Sequence, residues 1–136
     1  LTLFNRFFSP DFDLKTKKGV AANLLSNPAE LTTSLRWIGI MYDRVRCDLA
    51  ASTGVHDGEG VVKQILAGAN AVQVVSALYK NGNSHLVQIK NGLIKWMEDN
   101  GHKSLNEFRG KMSQSVINDP AAYERVQFMK YFSGIE

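Results

Sequence analysis

The sequence predicts an α/β domain built on a parallel β-sheet. Apolar segments of strand length alternate with amphipathic helical segments along the chain, and short turns join them. Residues 45–51 and 71–75 are both typical of strands and enclose a helical segment, which is the order of a right-handed βαβ unit with parallel strands. At 136 residues and 15.1 kDa, the chain has room for one hydrophobic core.

Composition excludes several classes of protein. Hydrophobic residues make up 44% and charged residues 21% of the chain, which is typical of a globular protein rather than a disordered one. No apolar run approaches the ~18 residues of a membrane-spanning helix, and the net charge of +3 is spread along the chain. We therefore expect neither a membrane span nor a nucleic-acid partner. The single cysteine, Cys47, excludes an intramolecular disulfide and favours a reducing, cytoplasmic compartment.

The first third of the chain contains two predicted strands and one well-delimited helix. Residues 1–5 form an apolar strand, and residues 20–25 form a short second strand. Asn27 and Pro28 start a helix, where Asn27 accepts from the free amides of the first turn and Glu30 reaches back as in a capping box. The apolar stripe of this helix recurs every three or four residues, at Leu31, Leu35, Ile38 and Met41.

The predicted βαβ unit follows. Cys47 lies within the strand at 45–51 and is expected to be a small buried hydrophobic residue. Asp57 caps the connecting helix and Gly68 ends it. The strand at 71–75 is apolar almost throughout, which is expected when helices cover both faces of a sheet. A longer helix is then predicted over residues 84–100.

The last part of the chain predicts short helices and no metal site. Ser104 and Glu107 form a second capping box, and Asp119 and Pro120 open a final helix. The histidines have no partners at metal-ligand spacing, and His56 is expected to be an exposed side chain at a helix start. Four aromatic residues are expected to pack against the main domain or a partner subunit: Tyr123, Phe128, Tyr131 and Phe132.

The order of elements predicts part of a (β/α)₈ TIM barrel. A complete barrel needs about 250 residues, so this chain supplies about half of one, namely its C-terminal strands and helices. We assign residues 1–112 to this half-barrel and residues 113–136 to a C-terminal helical tail. The start at Leu1, directly in a strand, is typical of an internal piece of a longer polypeptide. Because a half-barrel leaves open sheet edges, we expect a homo-oligomer or association with the missing half-barrel.

Candidate binding residues lie at the C-terminal ends of the predicted strands, where barrels place their chemistry. The loops after the last two strands of such barrels often bind phosphate through backbone amides and the start of a short helix. Gly54 lets the backbone approach an anion, and Ser76 offers a hydroxyl. The alternative is a turn glycine and a helix-capping serine, which ordinary turn chemistry explains as well.

Seven short motifs in order resemble one family. They are Leu-Phe-Asn at 3–5, Leu-Ser-Asn-Pro-Ala at 25–29, Leu-Arg-Trp at 35–37, Thr-Gly-Val at 53–55, Leu-Ala-Gly-Ala at 66–69, Val-Gln-Val-Val-Ser-Ala-Leu at 72–78 and Phe-Arg-Gly-Lys at 108–111. Together they resemble the C-terminal half of dihydroorotate dehydrogenases, which are flavin-dependent (β/α)₈ barrels of pyrimidine synthesis. The likeness is greatest to the bacterial branch labelled dihydroorotate dehydrogenase-like, and it runs from residue 1 to about residue 112.

The resemblance implies a flavin mononucleotide (FMN) site. In the family, a Gly-Gly pair and a Gly-Thr pair hold the flavin phosphate. The corresponding positions in this sequence are Thr53-Gly54 and Val75-Ser76. Asn27 stands where related proteins have a glycine near the flavin. Asn5 matches a family asparagine that hydrogen-bonds the pyrimidine substrate. In the family the next residue usually has a small hydroxyl side chain, whereas here it is Arg6.

The resemblance also implies that the catalytic machinery is incomplete in this chain. In the family a hydride passes from the substrate, dihydroorotate, to the flavin, while a cysteine or serine base on a mid-barrel loop removes the neighbouring proton. That loop precedes this sequence, so no catalytic residue is assigned and the chain alone is expected to be inactive. Two alternatives remain: a barrel relative that has lost the chemistry, and a flavin-free barrel that binds a sugar phosphate.

Overall fold

A parallel three-stranded sheet organises the molecule. The computed structural model describes residues 1–6, 10–21 and 24–124. The sheet has the order β1-β4-β5, and a separate antiparallel hairpin joins β2 to β3. The strands are β1 (Thr2–Leu3), β2 (Pro10–Asp13), β3 (Lys18–Ala21), β4 (Ala50–Ala51) and β5 (Ala71–Val72).

Within the described residues, five α-helices connect or follow these strands. They are α1 (Leu31–Met41), α2 (Gly58–Ala67), α3 (Ser76–Asn81), α4 (His85–Asp99) and α5 (Ala121–Glu124), with single 3₁₀ turns at Pro28–Glu30 and Leu105–Glu107. The predicted capping box is confirmed, since Asn27 accepts from the Ala29 amide at 3.0 Å while the Asn27 amide donates to Glu30. The predicted cap of α2 is confirmed too, because Asp57 accepts from the Gly60 amide at 2.8 Å. Within the described part of the chain, none of the helices combines the length and hydrophobicity that crossing a membrane requires.

The sheet register gives the sheet one covered and one open face. The residues Leu3, Ala51 and Val72 stand side by side across the three strands, and the first two are buried. Their chain neighbours Thr2, Ala50 and Ala71 form the opposite row, in which Thr2 and Ala71 are exposed. Because successive side chains of a strand point to opposite faces, the helices cover one face and leave the other open.

The core lies between the covered face and the helices. Ile38 of α1 packs with Leu49 and Ala51 in one cluster, while Val55, Ile65 and Ile89 lie in a second cluster between α2 and α4. An added Cβ on Gly58 would lie 2.8 Å from the Gly92 backbone, so glycine permits the close approach of these two helices.

Several expectations about the strands are wrong in detail. The strand expected at 20–25 runs instead over Lys18–Ala21 and pairs antiparallel with β2, outside the parallel sheet. The strand expected at 45–51 is paired only at Ala50–Ala51, because the register with β1 starts there. Cys47 therefore lies in the preceding loop and is exposed, contrary to the expected burial. The strand expected at 71–75 is paired at Ala71–Val72 only, and its exposed residues contradict the expectation that both faces are covered.

Residues 113–124 pack on the outer side of α1. Tyr123 lies against Gly39, and its hydroxyl donates to the Met112 carbonyl. The backbone amide of Gln114 donates to the Gly39 carbonyl at 3.0 Å, which fixes the segment around Gln114 onto the same helix. Of the aromatic residues expected to pack, Phe128, Tyr131 and Phe132 lie outside the described residues.

Candidate functional site

A hollow lies at the carboxyl ends of the parallel strands. Its volume is about 220 Å³, and it is lined by Asn5 after β1, Thr53 and Gly54 after β4, and Val75 and Ser76 after β5. The structure thus brings five of the six sequence-predicted site residues together. Among the described residues that line it, the charged side chain is Arg6, and no carboxylate takes part. The described lining therefore has no carboxylate to repel an anion, while the charge of Arg6 is already paired with Glu30.

Ser26 ties the hollow together. It is 4% exposed, and its amide donates to the Ser76 hydroxyl at 2.9 Å. The Ser26 hydroxyl accepts a long hydrogen bond, 3.4 Å, from the Gly54 amide. Its carbonyl accepts from the Lys80 ammonium at 2.9 Å. One residue therefore connects the loop after β4 with α3, and it holds a cation next to the hollow.

His56 is the fourth partner of Ser26. Its Nε2 atom lies 3.2 Å from the Ser26 hydroxyl, and its carbonyl accepts from Nε2 of His85 at 2.9 Å. The expected exposed imidazole is therefore wrong, because His56 is half-buried against this network. Burial, assisted by the charge of Lys80, lowers the pKa of His56 below its ordinary value; the Ser26 backbone, Asp57 and Glu30 oppose this shift.

The turn after β4 has an unusual backbone. Thr53 and Gly54 both adopt left-handed conformations, with φ of 79° and 81°. Such a φ is strained for threonine, and the Thr53 hydroxyl holds the turn by donating to the Phe4 carbonyl at 3.1 Å. A Cβ on Gly54 would lie 2.6 Å from Cα of Leu31, so this glycine permits close packing against the start of α1. Close packing, rather than access for an anion, is the direct reason for glycine at 54.

A second hollow of about 170 Å³ adjoins the first. Asn5, Arg6, Ser52 and Thr53 line both, while Glu30 and Ser34 line the second alone. Arg6 donates through Nε and Nη2 to the two carboxylate oxygens of Glu30, at 3.0 and 3.2 Å. These hydrogen bonds lower the pKa of Glu30, so the carboxylate is charged at neutral pH.

Asn27 is the predicted site residue that does not line either hollow. Its side chain accepts from the Ala29 amide and donates to Glu30 at 3.0 Å, so the structure gives it a capping role. Sequence reasoning missed Ser26, His56 and Lys80 as site residues. The Ser-Asn-Pro motif marked the position of Ser26, but nothing in the sequence brings residues 26, 56 and 80 together.

The donor set around the first hollow fits a phosphate. The Ser76 hydroxyl accepts from Ser26 and keeps its own hydrogen to donate, and the Lys80 ammonium supplies positive charge within reach of the same loop. The Gly54 amide makes only a long bond, so a stronger acceptor can compete for it. Among residues 1–6, 10–21 and 24–124, no three His, Cys, Asp or Glu side chains converge as metal ligands.

A family profile and individual relatives with known names match this chain, and all of them are dihydroorotate dehydrogenases. The family profile described as "Dihydroorotate dehydrogenase" matches residues 4–97. The catalytic subunit of dihydroorotate dehydrogenase B (NAD(+)) from Pelobacter propionicus is 30% identical over 115 residues, which are 82% of this chain and 38% of that protein. Dihydroorotate dehydrogenase (fumarate) from Trypanosoma cruzi is 33% identical over 100 residues, 73% of this chain and 31% of that protein. The chain thus spans less than two fifths of the length of these relatives.

A structural comparison supports the fold. The crystal structure of DHODH from Eimeria tenella in complex with ferulenol matches with a TM-score of 0.59 and 23% sequence identity. The match covers 71% of this chain and 25% of that one. The two chains thus share an α/β fold.

Proposed function

This chain belongs to the dihydroorotate dehydrogenase family, and from that premise we propose that it forms the phosphate-binding part of an FMN-dependent oxidoreductase. The observation that carries the proposal is the hollow that joins Asn5, Thr53, Gly54, Val75 and Ser76 at the carboxyl ends of three parallel strands. A phosphate there would meet two hydroxyl groups and a nearby ammonium, without an opposing carboxylate in the lining.

The residues of this chain hold and orient the ligand. Ser76 donates to the phosphate, Gly54 offers its weakly bonded amide, and Thr53 and Val75 shape the walls of the hollow. Asn27 keeps its proposed place near the flavin through the loop that it caps, and Asn5, which lines both hollows, faces the ring system and the substrate. The bound flavin would supply hydride transfer from dihydroorotate or a similar small molecule, and the proton-abstracting side chain would come from outside these residues.

The open sheet face fits the proposed barrel architecture. Thr2, Ala50 and Ala71 form a row of small side chains that the helices leave uncovered. We propose that residues 1–112 are the C-terminal arc of a (β/α)₈ barrel, that residues 113–136 form its tail, and that further strands or a second copy of the chain cover this face.

Flavin binding tests the proposal. FMN added to the purified protein is expected to show quenched fluorescence and a shifted absorption band, and Ser76→Ala is expected to weaken binding by about 1 kcal/mol, or roughly fivefold, the scale of one hydrogen bond. Ser84→Ala is the matched control, because Ser84 precedes α4 without a side-chain capping bond. Equal affinities of Ser76→Ala and the parent would reduce Ser76 to a structural role, and absence of any FMN binding would favour the flavin-free alternatives.

The substrate needs a separate experiment. Anaerobic addition of dihydroorotate to the flavin-loaded whole protein is expected to bleach the flavin spectrum. An unchanged spectrum, with flavin still bound, would contradict dihydroorotate as the substrate and leave a flavoprotein of another specificity.

A further inference from the structure

The Ser26 hydroxyl is placed between an amide, an imidazole and the first hollow. It is almost fully buried, it accepts from the Gly54 amide, and His56 Nε2 lies 3.2 Å away. Ser26 also lines the hollow, so its remaining hydrogen-bonding capacity can reach a ligand there. None of the seven motifs that resemble the family includes His56. The contacts of Ser26 with His56 and Gly54 are therefore taken from the structure of this chain alone.

The protonation state of His56 decides what Ser26 offers to a ligand. A hydroxyl has one hydrogen to donate and two lone pairs that accept. In the tautomer that carries its hydrogen on Nδ1, the neutral imidazole accepts the Ser26 hydrogen at Nε2, and the hydroxyl then presents only lone pairs to the hollow. A charged imidazole carries hydrogen on both nitrogens, so Nε2 must donate to Ser26 and the hydroxyl hydrogen is released towards the hollow.

We propose that His56 is a positioning residue for a phosphate-bearing ligand, and that ligand binding in the hollow is coupled to proton uptake by this imidazole. The inference rests on the proposed phosphate site and deepens it. Protonation turns Ser26 into a donor and adds a positive charge beside the anion, so both consequences strengthen binding. The Gly54 amide does not titrate, whereas His56 adds a component to binding that depends on pH.

The charges around the imidazole determine the sign of the effect. His56 is faced by Lys80 of α3, Glu30 of the 3₁₀ turn, its neighbour Asp57, and His85 of α4 through the backbone carbonyl. Burial and Lys80 lower the pKa of His56, and a phosphate dianion bound in the hollow would counteract both effects and raise this pKa. The affinity for a phosphate-bearing ligand is therefore expected to rise as pH falls through the range in which His56 takes up its proton. Above that range the imidazole is neutral, and its contribution to the affinity is lost.

FMN titrations at about pH 5.5 and about pH 8.5 test the coupling. We expect His56→Gln to bind FMN about tenfold more weakly than the parent at the lower pH and equally at the higher pH, which is the scale of one charge-assisted hydrogen bond. Phosphate itself titrates near pH 6, but this contribution is common to both proteins and cancels in their ratio. His85→Gln is the control, because His85 contacts the His56 carbonyl but not Ser26, and it should keep the parent's pH dependence.

Two further measurements separate this inference from the proposed function. Riboflavin, which lacks the phosphate, should show no difference between the parent and His56→Gln at either pH. The imidazole signals of His56 should shift towards the protonated form when inorganic phosphate is added near pH 6.5. A parallel pH dependence of FMN binding in the parent and His56→Gln would overturn the inference while leaving the flavin site intact. Phosphate-induced protonation without FMN binding would support the inference and overturn the flavin assignment, and a chain that binds neither ligand would overturn both.

Discussion

Gln64 offers the sharpest test of how the core is built. It lies on α2, is fully buried, and neither Nε2 nor Oε1 has a hydrogen-bond partner within the described part of the chain. A buried polar group without a partner costs about 1–3 kcal/mol. Methionine has nearly the same shape and helix propensity as glutamine and no group that needs a partner. Gln64→Met is therefore expected to raise the free energy of unfolding by about 1–3 kcal/mol.

Gln114 is the matched control for this substitution. It is also buried, but it accepts from Arg44 at 2.9 Å and donates to the Pro120 carbonyl at 3.1 Å and to the Glu124 carboxylate at 2.7 Å. Gln114→Met removes these bonds, and it is expected to lower the free energy of unfolding by about 1–3 kcal/mol. The same change of residue type should thus have opposite signs at the two positions.

Thermal and urea denaturation of the three proteins measure the difference. For a chain of this size, each kcal/mol corresponds to roughly 3–5 °C in Tm. The urea slope should stay constant, since neither substitution changes the area exposed on unfolding. If Gln64→Met destabilised the protein as much as Gln114→Met, the glutamine would have partners in solution, and the account of an unsatisfied core would be refuted.

Two other perturbations follow from the site geometry. Gly54→Ala is expected to lower the free energy of unfolding by about 3 kcal/mol or more, because φ is +81° and the new methyl group would overlap the backbone of Leu31; Gly19→Ala, where no atom lies within 4 Å, should change it by at most about 0.5 kcal/mol in the same urea titration. The Arg6 hydrogen bond lowers the pKa of Glu30 in the folded state, so its stabilisation is complete above the ordinary carboxyl pKa and is lost as pH falls through the lowered value. Between about pH 6 and about pH 3, the urea midpoint should therefore decrease less for Glu30→Gln than for the parent. An equal decrease in the two proteins would count against the ion pair.

Local signals in the sequence predicted two helix starts correctly, whereas the second predicted capping box is wrong, because Ser104 forms no side-chain capping bond with the turn at Leu105–Glu107. Asn27, Pro28 and Glu30 delimit the 3₁₀ turn that leads into α1 through contacts within four residues, and Asp57 caps α2. Such capping depends on neighbours in the chain, so it can be inferred from the sequence alone. The predicted parallel pairing of β4 and β5, the strands on either side of α2, is confirmed. It could be predicted because the connection between them is too long for a hairpin.

The extent of the strands could not be predicted in this way. Strand length depends on how far a neighbouring strand continues, and the register between β1 and β4 begins at Thr2 and Ala50. Apolar residues on either side of the paired positions look equally strand-like in the sequence. The exposure of Cys47 follows from this limit, since the predicted burial assumes a strand over all of residues 45–51, whereas pairing begins only at Ala50.

The candidate site divides along the same line. Gly54 and Ser76 were predicted from their positions at strand ends, and Thr53 and Val75 from the family resemblance; all four line one hollow. Ser26 and His56 are 30 residues apart, and Ser26 and Ser76 are 50 apart, so their contacts exist only after the chain has folded. Sequence spacing carries no information about such pairs unless an established motif relates them.

The hollow is therefore held by helix packing more than by the sheet. The strands pair over only two residues each, which leaves few backbone bonds to fix the positions of their carboxyl ends. The turn at Thr53 and Gly54 is instead clamped between the Phe4 carbonyl and the first residue of α1, and Ser26 links it to α3. A substitution that moves the start of α1 should disturb the hollow even where it leaves the strand pairing intact. Loss of FMN binding in Gly54→Ala would then reflect a displaced turn, whereas loss in Ser76→Ala would reflect a lost donor, and the stability of the two variants tells these causes apart.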